Sequence, residues 1–458
     1  MINCFIPFLS LPQARQTVRA LGLCDRIKNI YLLATEKIPD EVEGCEMLMI
    51  DSPASTATFR TIALHADTAY TLLYTKYTAF EPGQFAFERL LAIAGDTNAG
   101  MLYADRYLLK NGNSQQAPVI DYQKGSLRDD FDFGSLLFFR SSVLKQAVRA
   151  MDADYRFAGL YDLRLRVSEL AELVHVNEYL YSEVETDIRK SGEKLFDYVD
   201  PKNRAVQIEM EAVCTAYLKR VGGYLAPDFE PVTFDAGGFE QEASVIIPVR
   251  NRIRTIEDAI RSVLAQKTTF RFNLIIVDNH STDGTSEAIE KYTADGRVVH
   301  LVPERSDLGI GGCWNVGVHH PACGKFAVQL DSDDVYSGPD TLQKIVDAFY
   351  EQNCAMVVGT YRMTDFKMNE IPPGIIDHRE WTLENGRNNA LRINGLGAPR
   401  AFYTPVLRRI NLPNTSYGED YALGLRISRT WRIGRIYDVL YLCRRWEDNS
   451  DAALDVVK

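Results

Sequence analysis

The sequence predicts an α/β chain of two tandem domains, each a mostly parallel sheet with helices on both faces. Three observations lead there. Short apolar runs that read as buried strands alternate with helical patterns through both halves of the 458 residues, as expected where parallel strands are joined by helical crossovers. A stretch rich in Pro, Gly, Asp and Glu and lacking periodicity, residues 226–242, separates the halves. The halves also resemble each other. LRVSELAELVHVNEYLY (165–181) and LRISRTWRIGRIYDVLY (425–441) align without a gap, with Leu165/Leu425, Arg166/Arg426, Ser168/Ser428, Leu180/Leu440 and Tyr181/Tyr441 identical. Amphipathicity explains part of that match, but helix, turn and strand recurring in equivalent places favours duplication. The expected division is a domain over 1–225, a linker over 226–242 and a second domain over 243–458.

In the second half, ASVIIPV (243–249) is an apolar run ending at a proline, a buried-strand signal. Thr255-Ile256-Glu257-Asp258 follows as a capping-box-like helix start. Ile256, Ala259, Ile260, Val263 and Leu264 then give that helix one apolar face. NLIIVD (273–278), RVVHLV (297–302), KFAVQL (325–330) and AMVVGT (355–360) read as further buried strands. The first half repeats the rhythm, with NCFIPFL, KNIYLLA, CEMLMI, YTLLYT and AGMLYAD as strands and helical stretches from 12, 55 and 84. A further helical stretch spans 203–221.

Composition excludes several classes. Apolar residues at 46% and charged residues at 25% exclude a disordered or fibrous chain. Lys plus Arg number 51 against 62 Asp plus Glu, a net charge of −11, so nothing pulls the whole chain toward nucleic acid. No apolar run approaches the roughly 20 residues of a membrane span. The start, MINCFIPFLSLPQARQ, has no basic residues ahead of its apolar stretch and reads as a first strand, not a leader. Eight scattered cysteines without a CxxC pair read as reduced core residues of a cytoplasmic protein.

Polar clusters in the second half fall just beyond predicted strands, where an open parallel sheet binds its ligand. They are Asp278-Asn279-His280-Ser281-Thr282-Asp283-Gly284-Thr285, then Asp307-Leu308-Gly309-Ile310-Gly311-Gly312 leading into Trp314-Asn315, then Asp331-Ser332-Asp333-Asp334. Tyr417-Gly418-Glu419-Asp420 opens a later helix. Singly, each is ordinary turn or cap chemistry. Together they suit a nucleoside diphosphate. Three carboxylates within four residues repel one another unless a cation sits among them. Mg²⁺ or Mn²⁺ held by one or two of them would complete its shell with phosphate and water. The glycine-rich turn lets backbone approach a ligand closely, and the separate acid at 420 suits a general base.

VIIPVRNR, LIIVDNHSTDGT, DLGIGGCWNVG, QLDSDDVY and YGEDYALGLRI occur in the order and spacing of family 2 glycosyltransferases, which this half resembles over about residues 243–446. The resemblance implies a Rossmann-like GT-A fold and inverting transfer from a nucleotide sugar, with a UDP-sugar favoured. It implies that Pro248, Val249, Arg250 and Asn251 line the nucleotide pocket, that Asp278 and Asn279 contact the base, and that Gly309, Gly312 and Asn315 belong to the donor site. Asp331 and Ser332 would join the donor site. Asp333 with Asp334 would meet the metal, and Asp420 would deprotonate the acceptor. The chain departs from the family at Asn279, often an Asp, at Trp314, often an Arg, and at Trp446, often a His, where Arg444 or Arg445 could substitute. Between 387 and 445 stand eleven Arg, no Lys and three acids; most read as solvated helix faces, with one or two facing the diphosphate or an anionic acceptor.

Aligning YTLLYTKYTAFEPG with AVQLDSDDVYSGPD sets Tyr74-Thr75-Lys76-Tyr77 against DSDD, and the later match sets Leu160 against Asp420. The first half is therefore expected to share the fold without the chemistry. Asp105 and Asp162 stand nearby, outside the matching positions, and Asp129-Asp130 reads as a solvated loop. The expected partners are a nucleotide-sugar donor and a glycan or lipid-linked saccharide acceptor, with a homodimer and peripheral membrane contact both admitted. Competing readings are a two-site polysaccharide synthase, disfavoured by the missing acids, and a sugar-nucleotide scaffold without turnover, disfavoured by the complete acid set. A nucleotidyltransferase lacks support near the first strand.

Overall fold

Strand formation in this chain follows its apolar runs. A computed structural model describes residues 1–37, 40–185, 203–235 and 237–446, in two units, the first ending at Gly223 and the second beginning at Tyr224. Among the described residues no helix is long and apolar enough to cross a membrane.

The first unit opens with the wholly buried β1 (Ile2–Pro7), followed by β2 (Ile27–Ala34), β3 (Glu46–Met49) and β4 (Tyr70–Tyr74), all paired in parallel. β5 (Phe80–Pro82), β6 (Met101–Lys110), β7 (Asn113–Ala117), β8 (Leu136–Arg140) and β9 (Leu173–Val184) complete a sheet ordered β3-β2-β1-β4-β8-β6-β9-β5, with β7 on β6. Its helices are α1 (Leu11–Gly22), α2 (Thr56–His65), α3 (Ala86–Thr97), α4 (Ser141–Arg149), α5 (Gly159–Leu170) and α6 (Arg204–Arg220). Ser10 starts α1 by accepting a hydrogen bond from the Gln13 N–H, ahead of a proline in the first turn. Alternate residues of β1 feed two apolar clusters. Ile2, Cys4 and Ile6 join one and Phe5 the other, as a strand covered on both faces requires.

The second unit comprises β10 (Ala243–Val249), β11 (Phe272–Asp278), β12 (Val298–Leu301), β13 (Phe326–Gln329), β14 (Val335–Tyr336), β15 (Met356–Thr364), β16 (Glu370–Ile376), β17 (Arg400–Tyr403) and β18 (Ile433–Arg444). The order is β12-β11-β10-β13-β17-β15-β18-β14, with β16 on β15. This repeats the first unit strand for strand. Helices α7 (Ile256–Leu264), α8 (Thr285–Glu290), α9 (Ile310–His319), α10 (Thr341–Gln352), α11 (Gly386–Asn389), α12 (Thr404–Ile410) and α13 (Glu419–Ser428) complete it.

Three details differ from the sequence reading. The four-residue β17 lies antiparallel between β13 and β15, so a parallel block of four strands continues into a mixed one. The stretch read as a linker is docked on the second unit. Val232 is buried there, the Phe234 ring sits 5.1 Å from that of Tyr403, and Arg387 stacks on Phe229 at 4.6 Å. Its aromatic residues outweigh its prolines and glycines. Thr255 stands at the start of α7 without the expected capping bond; its hydroxyl donates instead to the Ser332 carbonyl at 2.9 Å.

The core of the second unit is centred on Phe326, fully buried on β13 and stacked on Phe349 at 4.3 Å. All four tryptophans of the chain (314, 381, 431 and 446) lie in this unit, so their fluorescence reports its unfolding alone. Phe326→Ala should lower its stability by about 3–5 kcal/mol in denaturant titrations followed by tryptophan emission. A loss below 1 kcal/mol would contradict this core assignment.

Candidate active site

The parallel strands β10, β11 and β13 end at one edge, and each is followed by residues that cannot stay in the sheet. There a cavity of about 820 Å³ opens, walled by Pro248–Arg252 after β10, Asn279 after β11, Asp331–Asp334 after β13 and Arg445 after β18. The N-terminus of α9 adds Gly309, Ile310, Cys313 and Trp314, and that of α13 adds Glu419 and Asp420. Arg400 and Gln329 reach it from β17 and β13.

The Asp331–Asp334 turn is held from below. The Asp331 N–H donates to the Tyr441 hydroxyl at 3.1 Å. Arg444, whose side chain is 1% exposed, donates its backbone N–H to Asp334 Oδ1 at 2.7 Å and its Nε to the Asp333 carbonyl at 2.5 Å. Its Nη1 pairs with Asp258 of α7 at 2.8 Å. Burial, and then repulsion from Asp333, pushes the carboxyls of Asp331 and Asp334 above the usual range. Asp333 faces the cavity, with Trp446 Nε1 donating to its Oδ2 at 3.2 Å and Arg252 Nε 3.9 Å away. Trp446 thus reaches the position that sequence comparison gave to a histidine. Arg444 is a buried anchor and not a diphosphate ligand, which leaves Arg445 on the cavity.

These residues fit a divalent cation. Asp331, Asp333 and Asp334 crowd three carboxylates onto one turn at the cavity, and carboxylate oxygen is the donor Mg²⁺ and Mn²⁺ take. Among the described residues no three His, Cys, Asp or Glu side chains converge on one point. A cation would therefore take one or two protein carboxylates and fill its shell from phosphate and water. Asp334 is buried with one oxygen committed to the Arg444 N–H, whereas the Asp333 side chain is the more exposed of the two, so Asp333 is the better placed ligand.

Several residues assigned to the donor site from the sequence face elsewhere. Asp278 is fully buried and does not line the cavity. It accepts from the Ser281 N–H at 3.0 Å and from the Ser286 hydroxyl. Burial pushes its carboxyl up, but the serine bonds outweigh this and hold it below the usual range. It shapes the loop, while Asn279 reaches the cavity with Nδ2 on the Leu308 carbonyl at 2.8 Å. Gly312 and Asn315 are also outside the lining. Asn315 exchanges two hydrogen bonds with the Leu412 backbone, at 2.8 and 2.9 Å. Gly311 and Gly312 make room for a loop, while Gly309 lines the cavity. A Cβ on Gly311 would lie 1.9 Å from the Pro413 carbonyl oxygen, and one on Gly312 2.2 Å from Asn414 Oδ1. The Gly309 N–H donates to the same Asn414 oxygen at 2.8 Å. This packing sets loop 411–416 against α9 and aims α13 at the cavity.

At the start of α13, after Gly418 at φ +74°, two adjacent acids differ. Asp420 forms an ion pair with Arg400 and accepts from the Tyr421 N–H at 2.6 Å. Glu419 is 8% exposed, and its Oε2 has no hydrogen-bond partner among the described residues. Burial, and then the charge of Asp420, raises its pKa to about 7. Glu419, Arg400 and Gln329 were missed as individual site residues from the sequence. Glu419 read as a helix-dipole complement, and Arg400 was one of eleven arginines with nothing to single it out.

The corresponding edge of the first unit is differently charged. Cys4 is paired with Leu72 and Val245 with Val328; each stands three residues before the proline of its strand. That register sets Thr75-Lys76-Tyr77-Thr78 against DSDD, one residue from the sequence alignment, and still offers no acid. Lys76 pairs instead with the buried Glu183 at 2.6 Å, and Arg106 bridges Glu183 at 3.0 Å and Asp132 at 2.8 Å. Leu160 packs against an apolar cluster. Asp105 is bound by His175 and Asp162 by Arg166, both at 2.9 Å, and Asp130 by Arg128.

A Bacillus subtilis (strain 168) protein described as a teichuronic acid biosynthesis glycosyltransferase, TuaG, is 33% identical over 120 residues, covering 26% of this chain and 46% of that protein. An uncharacterized glycosyltransferase of Rickettsia felis is 30% identical over 200 residues, covering 43% of this chain and 32% of the relative. The chain thus spans less than half the length of either. Among solved structures, S. aureus TarS 1–349 in complex with UDP-GlcNAc superposes with a TM-score of 0.40 at 22% identity, covering 47% of this chain and 62% of that one. A mannosyltransferase from Pyrobaculum calidifontis in complex with GDP-Man and Mn²⁺ gives a TM-score of 0.36 at 19% identity, covering 53% and 66%. The family model described as glycosyl transferase family 2 matches residues 244–409, a segment that lies within the second unit.

Proposed function

We propose that the second unit is a cation-dependent, inverting glycosyltransferase acting from a nucleoside diphosphate sugar, a UDP-sugar foremost, onto a hydroxyl of a glycan or lipid-linked saccharide. The observation that carries this is the placement of Asp333 and Asp420 on the walls of one cavity. The donor's nucleoside would lie against Pro248, Val249 and Asn251 with Asn279 at its base, and its diphosphate toward Arg250, Arg252 and Arg445. A divalent cation, Mn²⁺ or Mg²⁺, held by Asp333 supplies charge neutralisation for the leaving diphosphate when bound. Asp420 accepts the proton of the acceptor hydroxyl. The hydroxyl oxygen forms its bond to the anomeric carbon from the face opposite the diphosphate. The carbon–oxygen bond to phosphate breaks with its electron pair on the diphosphate, and the configuration inverts.

The first unit, in this reading, is an accessory domain with the same strand order. Its Lys76, Glu183, Arg106 and Asp132 pair two cations with two acids at the edge where the second unit places acids on its cavity. That suits packing or acceptor guidance better than a second site of transfer.

A panel of nucleoside diphosphate sugars with Mn²⁺ and the full-length chain tests the proposal through release of nucleoside diphosphate. With the donor so identified, Asp333→Asn should abolish both metal-dependent nucleotide binding and transfer. Asp420→Asn should keep nucleotide affinity and lose transfer by roughly 10²–10⁴-fold. Normal turnover of Asp333→Asn with the metal chelated would overturn the cation site. Equal loss of donor affinity in Asp420→Asn would make that residue a donor ligand, and metal-dependent transfer persisting in Asp333→Asn would revive a second site in the first unit.

Glu419 predicts a pH dependence of stability. Its folded pKa of about 7 lies above the usual 4.5, so the folded state binds more protons than the unfolded one between those values. The corresponding stability is complete below about 4.5 and is lost as pH rises through about 7. Glu419→Gln should therefore raise Tm at pH 8 and leave it nearly unchanged at pH 5. Equal Tm shifts at both values in thermal melts would contradict a raised pKa.

A further inference from the structure

β13 and β17 run antiparallel, with Val328 opposite Ala401, so the next pair outward brings Gln329 beside Arg400. The Arg400 side chain is 13% exposed, and each of its three nitrogens is engaged. Nη2 is paired with Asp420, Nη1 donates to Gln329 Oε1 at 3.0 Å, and Nε donates to the Leu396 carbonyl at 2.5 Å. The Gln329 amide continues the chain, its Nε2 donating to Asp331 Oδ1 at 2.9 Å. Gln329 is itself 6% exposed.

We propose that Arg400 is a positioning residue that ties the acceptor-side carboxylate Asp420 to the donor-side carboxylate Asp331 through Gln329, and so fixes the distance across which the sugar moves. This rests on Asp420 being the base of the proposed reaction. A planar guanidinium suits the task because its nitrogens point in fixed directions, whereas a lysine ammonium would reach one partner at a time. With Nη1, Nη2 and Nε all spoken for by protein, the group is poorly placed to serve mainly as a diphosphate ligand; Arg250 and Arg445 are nearer that role. Asp420 stands in the first turn of a helix that follows a loop, and a carboxylate at such a junction needs a second point of attachment to stay within the few tenths of an ångström that proton transfer demands. Arg400 supplies that point from the sheet.

Full-length Arg400→Met, Arg400→Lys, Gln329→Leu, Arg400→Met/Gln329→Leu and Asp420→Asn, assayed with the donor found above, test this. Arg400→Met should lower kcat by about 10- to 100-fold, the usual cost of losing a residue that orients a functional group, with the donor KM and nucleotide affinity within about twofold of wild type. Arg400→Lys should recover part of kcat. The double variant should be no slower than Arg400→Met alone, because both changes cut the same chain. Tryptophan emission melts of each variant identify any that fail to fold, and Arg400→Lys and Gln329→Leu then carry the comparison. A rise in donor KM at constant kcat would overturn the inference by making Arg400 a donor ligand. Multiplicative losses in the double variant would overturn it by making the two residues independent. If Asp420→Asn retains full kcat, the assignment of the base falls and this inference with it. If Asp420→Asn loses transfer while Arg400→Met and Arg400→Lys keep wild-type kcat, only the inference falls.

Discussion

Everything at the cavity edge depends on one buried cation. Three aspartates in four residues after β13 would repel each other and pull the turn into water. Arg444 prevents this from inside the protein, where its backbone holds Asp334, its Nε holds the Asp333 carbonyl and its Nη1 meets Asp258. An arginine buried without partners would cost several kcal/mol; here Nη1 is neutralised by Asp258, and Nε, on the Asp333 carbonyl, ties the turn to it. The turn is tied a second time by Thr255, whose hydroxyl donates to the Ser332 carbonyl. The last long strand and the first helix of the unit therefore converge on the same four residues, and the charge they leave over faces the cavity through Asp333.

The acceptor side is built by close packing. Gly311 and Gly312 let loop 411–416 lie against α9 at distances that no side chain would permit, and the loop delivers the start of α13 to the cavity. Two neighbouring acids then receive different environments. Glu419 is buried with an unpartnered oxygen, which favours its protonated form, while Asp420 is matched to Arg400.

How much of this was legible depended on the range of the interactions. β10, β11, β13 and β15 were readable because each is a continuous apolar run, and the acids beyond them because they cluster in sequence. β14 and β17 were not, since two and four residues carry no period. A residue after a strand can turn inward or outward, and Asp278 was assigned to the ligand when its serine partners turn it inward. Gly311 and Gly312 were read as serving a ligand because their true neighbours, Pro413 and Asn414, lie a hundred residues away in sequence. Arg400 and Gln329 meet only because β17 inserts against β13, a pairing that no local pattern announces. The recurrence of 165–181 in 425–441 did announce the shared strand order of the two units. The first-unit alignment, fixed by the sheet register, moved by one residue and kept its consequence that no acid stands there.

The central claim is that the charge left exposed by the Arg444-anchored turn holds a divalent cation together with a diphosphate. The most direct measurement is the anomalous scattering of Mn²⁺ in crystals of the full-length protein grown with UDP. The account predicts one Mn²⁺ peak within coordination distance of Asp333, bridged to the diphosphate, and none beside Lys76. UDP bound in the cavity with no Mn²⁺ at Asp333, or with the metal at the first unit's edge, would contradict it.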